Sequence, residues 1–469
     1  EVSQAPFNFG PRLGLAYKVT DRAVVRAGYG IFYGGLSPIG YGPNPGADFP
    51  FLPTSNFSGG SCTSPANCPV ATSNLGNPIT FETGFNDVLS TGIIAGVTGV
   101  TVNGTAVDTK QAYSENYNLS VQYSVTNDMA ATLGYVGTQS HHQEGGYNIN
   151  NTYTVLKTGS VTNCTTANQA TCSLTEPFPF LGNMSIASFY GQSAYNSLQG
   201  TLTKRAAKGF TFAANYTWSH QMSIGSPSSP ILLALGMTKV AASGSMSNRL
   251  TFNGNYQLPF GKGQKFVNNS RLFDYVIGGW ASSLTVVAQN GSPFSIGTAS
   301  INNKAGTPNW QAPVGASPPA VQVGNPFAGG GTPPTENPIT TSCPAAVHTR
   351  QHWYNPCAFA DPASANGLNV PAGGLTGSAA LPYFGAFKSP QVYGPGYYRV
   401  NLSVFKDFTI REDKRIEFRT DAFNLFNHPS WANPSSGMTA SAGQITAPVA
   451  FQANTPDARF FQFSLKLLF

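Results

Sequence analysis

Charge is scarce in this sequence. Only 9% of its 469 residues are Asp, Glu, Lys or Arg, against about 25% in a typical soluble domain. The net charge is +6, but the basic residues are scattered and form no patch that would grip a nucleic acid. Long hydrophobic runs are missing too. The longest candidate, Ile231-Leu232-Leu233-Ala234-Leu235, falls well short of the roughly 18 apolar residues of a membrane-crossing helix. A membrane-spanning chain of this composition must therefore cross with strands. There is no Gly-x-Ser-x-Gly elbow, which excludes that kind of nucleophilic hydrolase. Gly28-x-Gly30 lies inside a strand pattern, not at a strand-to-helix turn, so it is no dinucleotide site. Small residues facing a barrel interior or marking a bend explain it better. Neither an initiator Met nor a leader precedes Glu1-Val2-Ser3, which points to processing or truncation. Nothing in the sequence calls for a cofactor or an enzyme.

Gly (51), Pro (35) and aromatic residues (12%) are abundant, yet the mean hydropathy is only −0.12. Neutral polar residues stand where a soluble protein would carry Lys and Glu. An apolar outside with a hydrated polar inside would use residues this way.

Period-two alternation recurs from end to end. In 23–33, Val25, Ala27, Tyr29, Ile31 and Tyr33 share a face opposite Arg26, Gly28 and Gly30. In 210–218, Phe210, Phe212, Ala214, Tyr216 and Trp218 oppose Thr211, Asn215 and Thr217. In 415–423, Ile416, Phe418 and Ala422 alternate with Arg415, Glu417, Arg419 and Asp421, which read as candidate lumen charges forming an ion-pair ladder. Tyr and Trp gather toward strand ends, as in interfacial girdles. The pattern predicts about eleven strands, over 10–19, 23–34, 111–125, 129–139, 188–204, 210–222, 249–258, 279–291, 397–410, 414–427 and 458–469.

Short turns at 20–22, 126–128, 206–209 and 411–413 alternate with long segments at 35–110, 140–187, 223–248, 292–396 and 428–457. Soluble domains rarely hold several structureless loops this long. Outer-membrane barrels do, with short periplasmic turns and long extracellular loops. The predicted fold is all-β, a transmembrane antiparallel β-barrel over 1–469, in the outer membrane and in contact with its lipid. If the last strand ends in the periplasm, about eleven strands place Glu1 on the outside. Complete single-chain barrels have an even number of strands, so the expectation is a partial barrel.

The final strand ends Phe461, Phe463, Leu465, Leu467, Phe469 on one parity and Gln462, Ser464, Lys466 on the other. A C-terminal aromatic strand of this kind resembles the signal that bacterial outer-membrane barrels present to their assembly machinery. Gln462, Leu467 and Phe469 fit that signal, and Ser464 stands where it has Gly.

The six cysteines form three close pairs in polar loop segments, Cys62/Cys68, Cys164/Cys172 and Cys343/Cys357. Their number and spacing favour loop disulfides made in an oxidising compartment; no Cys-x-x-Cys or Cys/His spacing supports zinc. His141-His142-x-Glu144 is a weak metal motif, because adjacent histidines in a strand point to opposite faces. His348, His352 and Asp361, near the last cysteine pair, are equally weak.

Several stretches resemble TonB-dependent outer-membrane transporters of the Oar-like group. They are Phe9-Gly10-Pro11-Arg12-Leu13-Gly14-Leu15-Ala16-Tyr17 with Val25–Tyr33, Tyr256-Gln257-Leu258-Pro259-Phe260-Gly261-Lys262-Gly263 with Gly278-Gly279-Trp280 and Gly291-Ser292-Pro293-Phe294, and Arg419-Thr420-Asp421-Ala422-Phe423-Asn424-Leu425-Phe426-Asn427-His428-Pro429. The last is the most specific. The resemblance implies a barrel of about 22 strands, of which this chain would be the C-terminal half. The family's regulatory-like domain, TonB box and plug have no counterpart in these residues, so contact with the TonB system would run through a missing N-terminal part. The implied function is transport of a large solute. Tyr41, Phe51, Trp310 and Trp353 offer loop surfaces for stacking on carbohydrate or peptide, and the sequence does not choose between those. The alternative is a passive porin or surface adhesin barrel; a third reading is a secreted soluble β-protein such as a lectin.

Overall fold

Alternating side chains become strands because successive residues of an extended chain face opposite ways. The computed structural model describes residues 8–34, 100–105, 110–148, 181–207, 209–224, 240–242, 244–261, 264–266, 275–297, 320–333, 342–360, 392–411, 414–437, 439–448 and 458–469. Its strands are β1 (Arg12–Lys18), β2 (Ala23–Tyr33), β3 (Val100–Thr105), β4 (Tyr113–Thr126), β5 (Met129–Asn148), β6 (Leu181–Ala207), β7 (Phe210–Ser223), β8 (Val240–Ala241) and β9 (Asn248–Gln257). They continue with β10 (Trp280–Gln289), β11 (Pro293–Phe294), β12 (Val321–Gln322), β13 (Phe359–Ala360), β14 (Val392–Tyr393), β15 (Tyr397–Arg411), β16 (Lys414–Phe423) and β17 (Phe460–Leu468).

Eleven of these form one meander in the order β1-β2-β4-β5-β6-β7-β9-β10-β15-β16-β17, every neighbour antiparallel. They coincide with the eleven strands the alternation predicts. β3 adds parallel to β6, and β8 pairs with β7. Among the described residues β1 and β17 do not pair with each other, so the meander is an open sheet and not a closed barrel.

Register carries one face through all eleven strands, because directly opposed residues share a face. From Leu15 it runs through Ala27, Leu119, Tyr135, Leu198, Trp218 and Asn248. The same face continues from Gly254 of β9 to Leu284 and on through Leu402, Ala422 and Phe461. This apolar face is largely bare: Leu13, Leu133, Trp218, Phe463 and Leu465 are each more than half exposed. The opposite face holds Asn118, Thr132, Thr201, Asn215, Thr251, Ser283, Asn401, Ser403, Asp421 and Gln462. An exposed apolar sheet face is a liability in water and a requirement in lipid.

Aromatic residues band the apolar face at both strand ends. Tyr17, Tyr123, Tyr256 and Trp280 lie near the tight-turn ends; Tyr33, Tyr113, Tyr216, Trp218 and Tyr398 lie near the others. Tyr113 and Tyr123 share β4 ten residues apart. That is roughly 33 Å along the strand, or about 25 Å across a bilayer at the usual tilt.

Turn chemistry sets the register of the hairpins. At the β1–β2 turn, Val19 N donates to Ala23 O at 2.9 Å and Lys18 pairs with Asp21 at 2.6 Å. At the β4–β5 turn, Asp128 accepts from Lys204 of β6 and from Thr126 Oγ1. Lys204 first and Thr126 second hold the Asp128 carboxyl down to about 2. Gly209, at φ +75, turns β6 into β7 and accepts from Gln257 N at 2.8 Å. The β9–β10 connection departs from this pattern. It joins strands at the tight-turn end yet is long, and it is braced by Phe266 N donating to Pro259 O at 3.0 Å and by a helical turn at 275–277.

Two expectations about the loops need correction. Part of 140–187 is not loop: β5 and β6 run 20 and 27 residues and carry their hairpin past the apolar band, where β3 joins from the 35–110 segment. Parts of 292–396 and 428–457 are not structureless either. They pack into a module with its own core of Phe294, Ile296, Ala320, Tyr354, Ala358, Phe359, Val392 and Ala442. Most of the buried apolar side chains described thus lie in this module and not in the eleven meander strands.

The module is pinned by close approaches. A β-carbon on Gly291 would stand 1.8 Å from Gly394 O, and one on Gly394 would stand 2.0 Å from Asn433 Oδ1. Asn355 is 5% exposed and acts as a hub. Its Nδ2 donates to Ala328 O at 2.8 Å and Gly330 O at 2.9 Å, and its Oδ1 caps the 3₁₀ turn Pro356–Ala358 by accepting from Cys357 N at 3.0 Å. Cys343 and Cys357 are disulfide-bonded, with Cα atoms 5.8 Å apart. Cys62, Cys68, Cys164 and Cys172 lie outside the described residues.

Candidate functional site

The polar face of the sheet is the larger candidate surface. Its side chains are mostly neutral and bond to one another across strands. Thr201 Oγ1 donates to Asn215 Oδ1 at 3.1 Å, and Asn215 Nδ2 to Thr251 Oγ1 at 3.4 Å. Thr138 Oγ1 donates to Asn116 Oδ1 at 2.7 Å, and Arg26 Nη1 to Gln122 Oε1 at 2.9 Å. A wall of this kind stays hydrated without strong local charge.

The four expected charges lie on this face of β16, but they do not form a continuous ladder. Arg419 Nε holds both carboxylate oxygens of Asp421, at 2.9 and 3.0 Å, while Arg419 Nη2 donates to Ser403 Oγ at 3.2 Å. Arg415 reaches sideways to Asp407 of β15 at 3.5 Å. Glu417 is opposed by Asp407 on one side and Lys466 on the other. Arg419 and Asp421 thus pair within β16, whereas Arg415 pairs across to β15 and Glu417 stands directly opposite another carboxylate there.

In β17, Gln462 faces Asp421 on the polar side and Leu467 faces Ile416 on the apolar side. Phe469 lies past the strand end and is 93% exposed.

Polar groups interrupt the apolar face in two places. Near the tight turns, Lys406 Nζ donates to Tyr275 O at 2.6 Å and lies 4.9 Å from the Phe408 ring centroid. Toward the other end, Asn196 Oδ1 accepts from Tyr117 at 3.0 Å and from Tyr135 at 2.8 Å. Beside them His141 Nε2 lies 3.8 Å from Glu115 Oε1.

The histidine pair corrects another expectation. His142 has φ 53, and the β5–β6 register shifts there. The bulge turns both imidazoles onto Tyr113, at 4.9 Å for His141 and 5.7 Å for His142. Among the described residues no group of three His, Cys, Asp or Glu side chains is placed to hold a metal.

The module presents the second surface. Trp353, expected to offer a stacking face, is instead part of the packing. It lies against the core, donates Nε1 to Tyr393 O at 2.8 Å and meets His348 edge-on. His348 stacks on Phe327 at 4.7 Å. Burial pushes the Tyr354 phenol up, and its hydroxyl donates to Ser435 O at 2.9 Å. Arg350, Gln351, His352, Gln444 and Ile445 line an open cavity of about 500 Å³. Sequence reasoning singled out His352 but missed Arg350, Gln351 and Gln444, which no local motif marks. Tyr41, Phe51, Trp310 and Asp361 lie outside the described residues, as does the side chain of Glu144.

No curated protein matches the sequence. Among solved structures the chain is similar to the siderophore receptor PirA from Acinetobacter baumannii, at 12% identity and a TM-score of 0.42, over 98% of this chain and 41% of that one. It is also similar to the outer membrane transporter YddB from Escherichia coli, at 8% identity and a TM-score of 0.40, over 95% and 38%. For the ferric-catecholate import receptor Fiu from E. coli K12 the values are 9%, 0.37, 97% and 34%. The chain thus spans about two fifths or less of the length of these receptors. A family model described as an outer membrane beta barrel domain matches residues 2–462, nearly the whole sequence, and the chain belongs to that family.

Proposed function

We propose that this chain is the C-terminal half of the barrel wall of an Oar-like TonB-dependent transporter, moving a large solute across the bacterial outer membrane. The supporting observation is the predominantly polar face carried by register through eleven strands, which suits the wall of a wide hydrated lumen. In this reading the long connections are extracellular and the tight turns periplasmic. Outer-membrane lipid covers the apolar face, and the TonB-contacting segment and plug belong to a part of the protein outside these 469 residues.

Strand direction supports the same reading. The meander has an odd number of strands, so β1 and β17 run the same way. A second copy in the same membrane orientation would meet either edge in parallel. Antiparallel closure needs a segment whose first and last strands both run upward, as about eleven further strands of the same polypeptide would.

Solute uptake in cells expressing the whole protein tests the proposal. Uptake that stops when the inner-membrane proton gradient is collapsed is expected. Uptake indifferent to the gradient would overturn energised transport in favour of a passive porin.

A further inference from the structure

We propose that the cavity around Arg350 binds the carboxylate of an acidic saccharide, as the point of first contact on the extracellular face. The link to uptake rests on the transport reading above; the binding itself does not.

Arg350 is the only Asp, Glu, Lys or Arg side chain among the described module residues in 291–297, 320–333, 342–360, 392–396 and 424–448. It sits at the tip of a tight reversal. His348 N donates to Trp353 O at 3.1 Å, Thr349 N to His352 O at 3.1 Å, and His352 N to Thr349 Oγ1 at 3.0 Å. His348 begins the reversal in the left-handed region, at φ 59. The 14-residue disulfide loop between Cys343 and Cys357 encloses the whole turn.

The guanidinium is held from two sides. Its Nε donates to Ile445 O at 3.2 Å, and Ile445 N returns a bond to Arg350 O at 2.8 Å. Its Cζ lies 5.1 Å from the centroid of the Trp431 ring. The Nη groups meet no protein acceptor among the described residues. A guanidinium fixed through Nε and stacked on an indole presents its outer fork ready-made, and a carboxylate is the shape that fork accepts. Little ordering cost then remains for the ligand to meet.

The rest of the lining argues for a sugar. Gln351 and Gln444 each combine donors with an acceptor, as paired hydroxyls require, and His352 adds a further polar group. Among the described lining residues Ile445 is the one apolar side chain and it is nearly buried, leaving little there for a peptide's side chains to pack on. The volume of about 500 Å³ lies within the ordinary range of small-ligand sites.

Isothermal titration of the whole protein in detergent micelles, with digalacturonate as the probe, tests the site. Lactose serves as the neutral sugar and triglutamate as the acidic non-sugar. Digalacturonate is expected to bind and lactose to bind at least about tenfold more weakly, the scale of one charge-assisted pair. Arg350→Gln should weaken digalacturonate by a similar factor, with partial recovery in Arg350→Lys. Gln444→Ala, whose side chain makes no bond among the described residues, should weaken it several-fold without lowering the melting temperature. Triglutamate binding as tightly as digalacturonate would overturn the saccharide assignment. Digalacturonate affinity unmoved in both Arg350→Gln and Gln444→Ala would overturn the site. Uptake of the probe is read separately: Arg350-dependent binding without energised uptake sinks the transport reading alone, and the reverse sinks the site alone.

Discussion

The ring of Tyr117 lies across Gly137 of the neighbouring strand, with Cε2 only 2.1 Å from where a glycine β-carbon would stand. The missing side chain lets the ring lie flat and brings its hydroxyl to Asn196, beside that of Tyr135. Gly137→Val would lift the ring and break the shared acceptor. The expected cost is about 1–3 kcal/mol, as for overpacking elsewhere, read from urea unfolding of the whole protein in lipid vesicles. A variant as stable as the parent would contradict this account of the pair.

Asn355 is expected to be the most sensitive polar residue of the module. Asn355→Ala strands two carbonyls and one N–H in a buried site, at about 1–3 kcal/mol for each unsatisfied group. Limited proteolysis should cut the 342–360 segment faster, while the strands keep their protection.

Closing a loop of 14 residues between Cys343 and Cys357 should stabilise the module by about 3 kcal/mol. Reduction, or a Cys343→Ser/Cys357→Ser double variant, should lower the module's melting temperature and leave the β-sheet circular dichroism unchanged. Non-reducing peptide maps should show this link, and we propose that they will also join Cys62 to Cys68 and Cys164 to Cys172. Free thiols at those four positions would remove the second proposal.

The Asp128–Lys204 contact makes the β4–β5 turn acid-sensitive in one direction. The folded carboxyl titrates at about 2, below its ordinary 3.8. Its contribution is therefore complete above about 3.8 and is lost as pH falls from there through about 2. Lys204→Met should return the Asp128 titration toward its ordinary value, which carboxyl-carbon NMR in detergent would follow.

We propose that Phe469, with Leu467 and Gln462, forms the recognition end for barrel assembly. Deleting Phe469 or replacing it with Asp should reduce the level of the protein in the outer membrane several-fold, while its synthesis is unchanged. Normal surface levels would argue that the β16–β17 pairing suffices.

The eleven meander strands were legible because a two-sided strand writes its faces into every second residue. Leu465, Leu467 and Phe463 declare a face before any partner is known. The lengths of β5 and β6 were not legible. Beyond the apolar band both sides of a hairpin meet water, and the alternation that marks a strand lapses around Gly145 and Gly146. The bulge at His142 was hidden because a left-handed φ leaves no trace in residue type there. The module was hidden for a different reason. Phe294, Tyr354, Val392 and Ala442 come from four separate segments, each too short to show a period, and they meet only in the fold. Arg350 was invisible for the same cause, since Trp431 and Ile445, which fix it, are far away in sequence.

The contacts at Gly291, Gly394 and Asn433 have a mechanical consequence. Three lengths of chain cross where there is no room for even one added carbon, just outside the ends of β10 and β15. A joint packed that tightly cannot act as a hinge, so the module stands at the ends of β10 and β15 like a fixed bracket and not a swinging door. If Arg350 binds a saccharide as proposed, the bound ligand would be held at a set height and angle relative to the ends of β10 and β15. Onward movement would then require release from Arg350, since the outer station could not travel with its cargo.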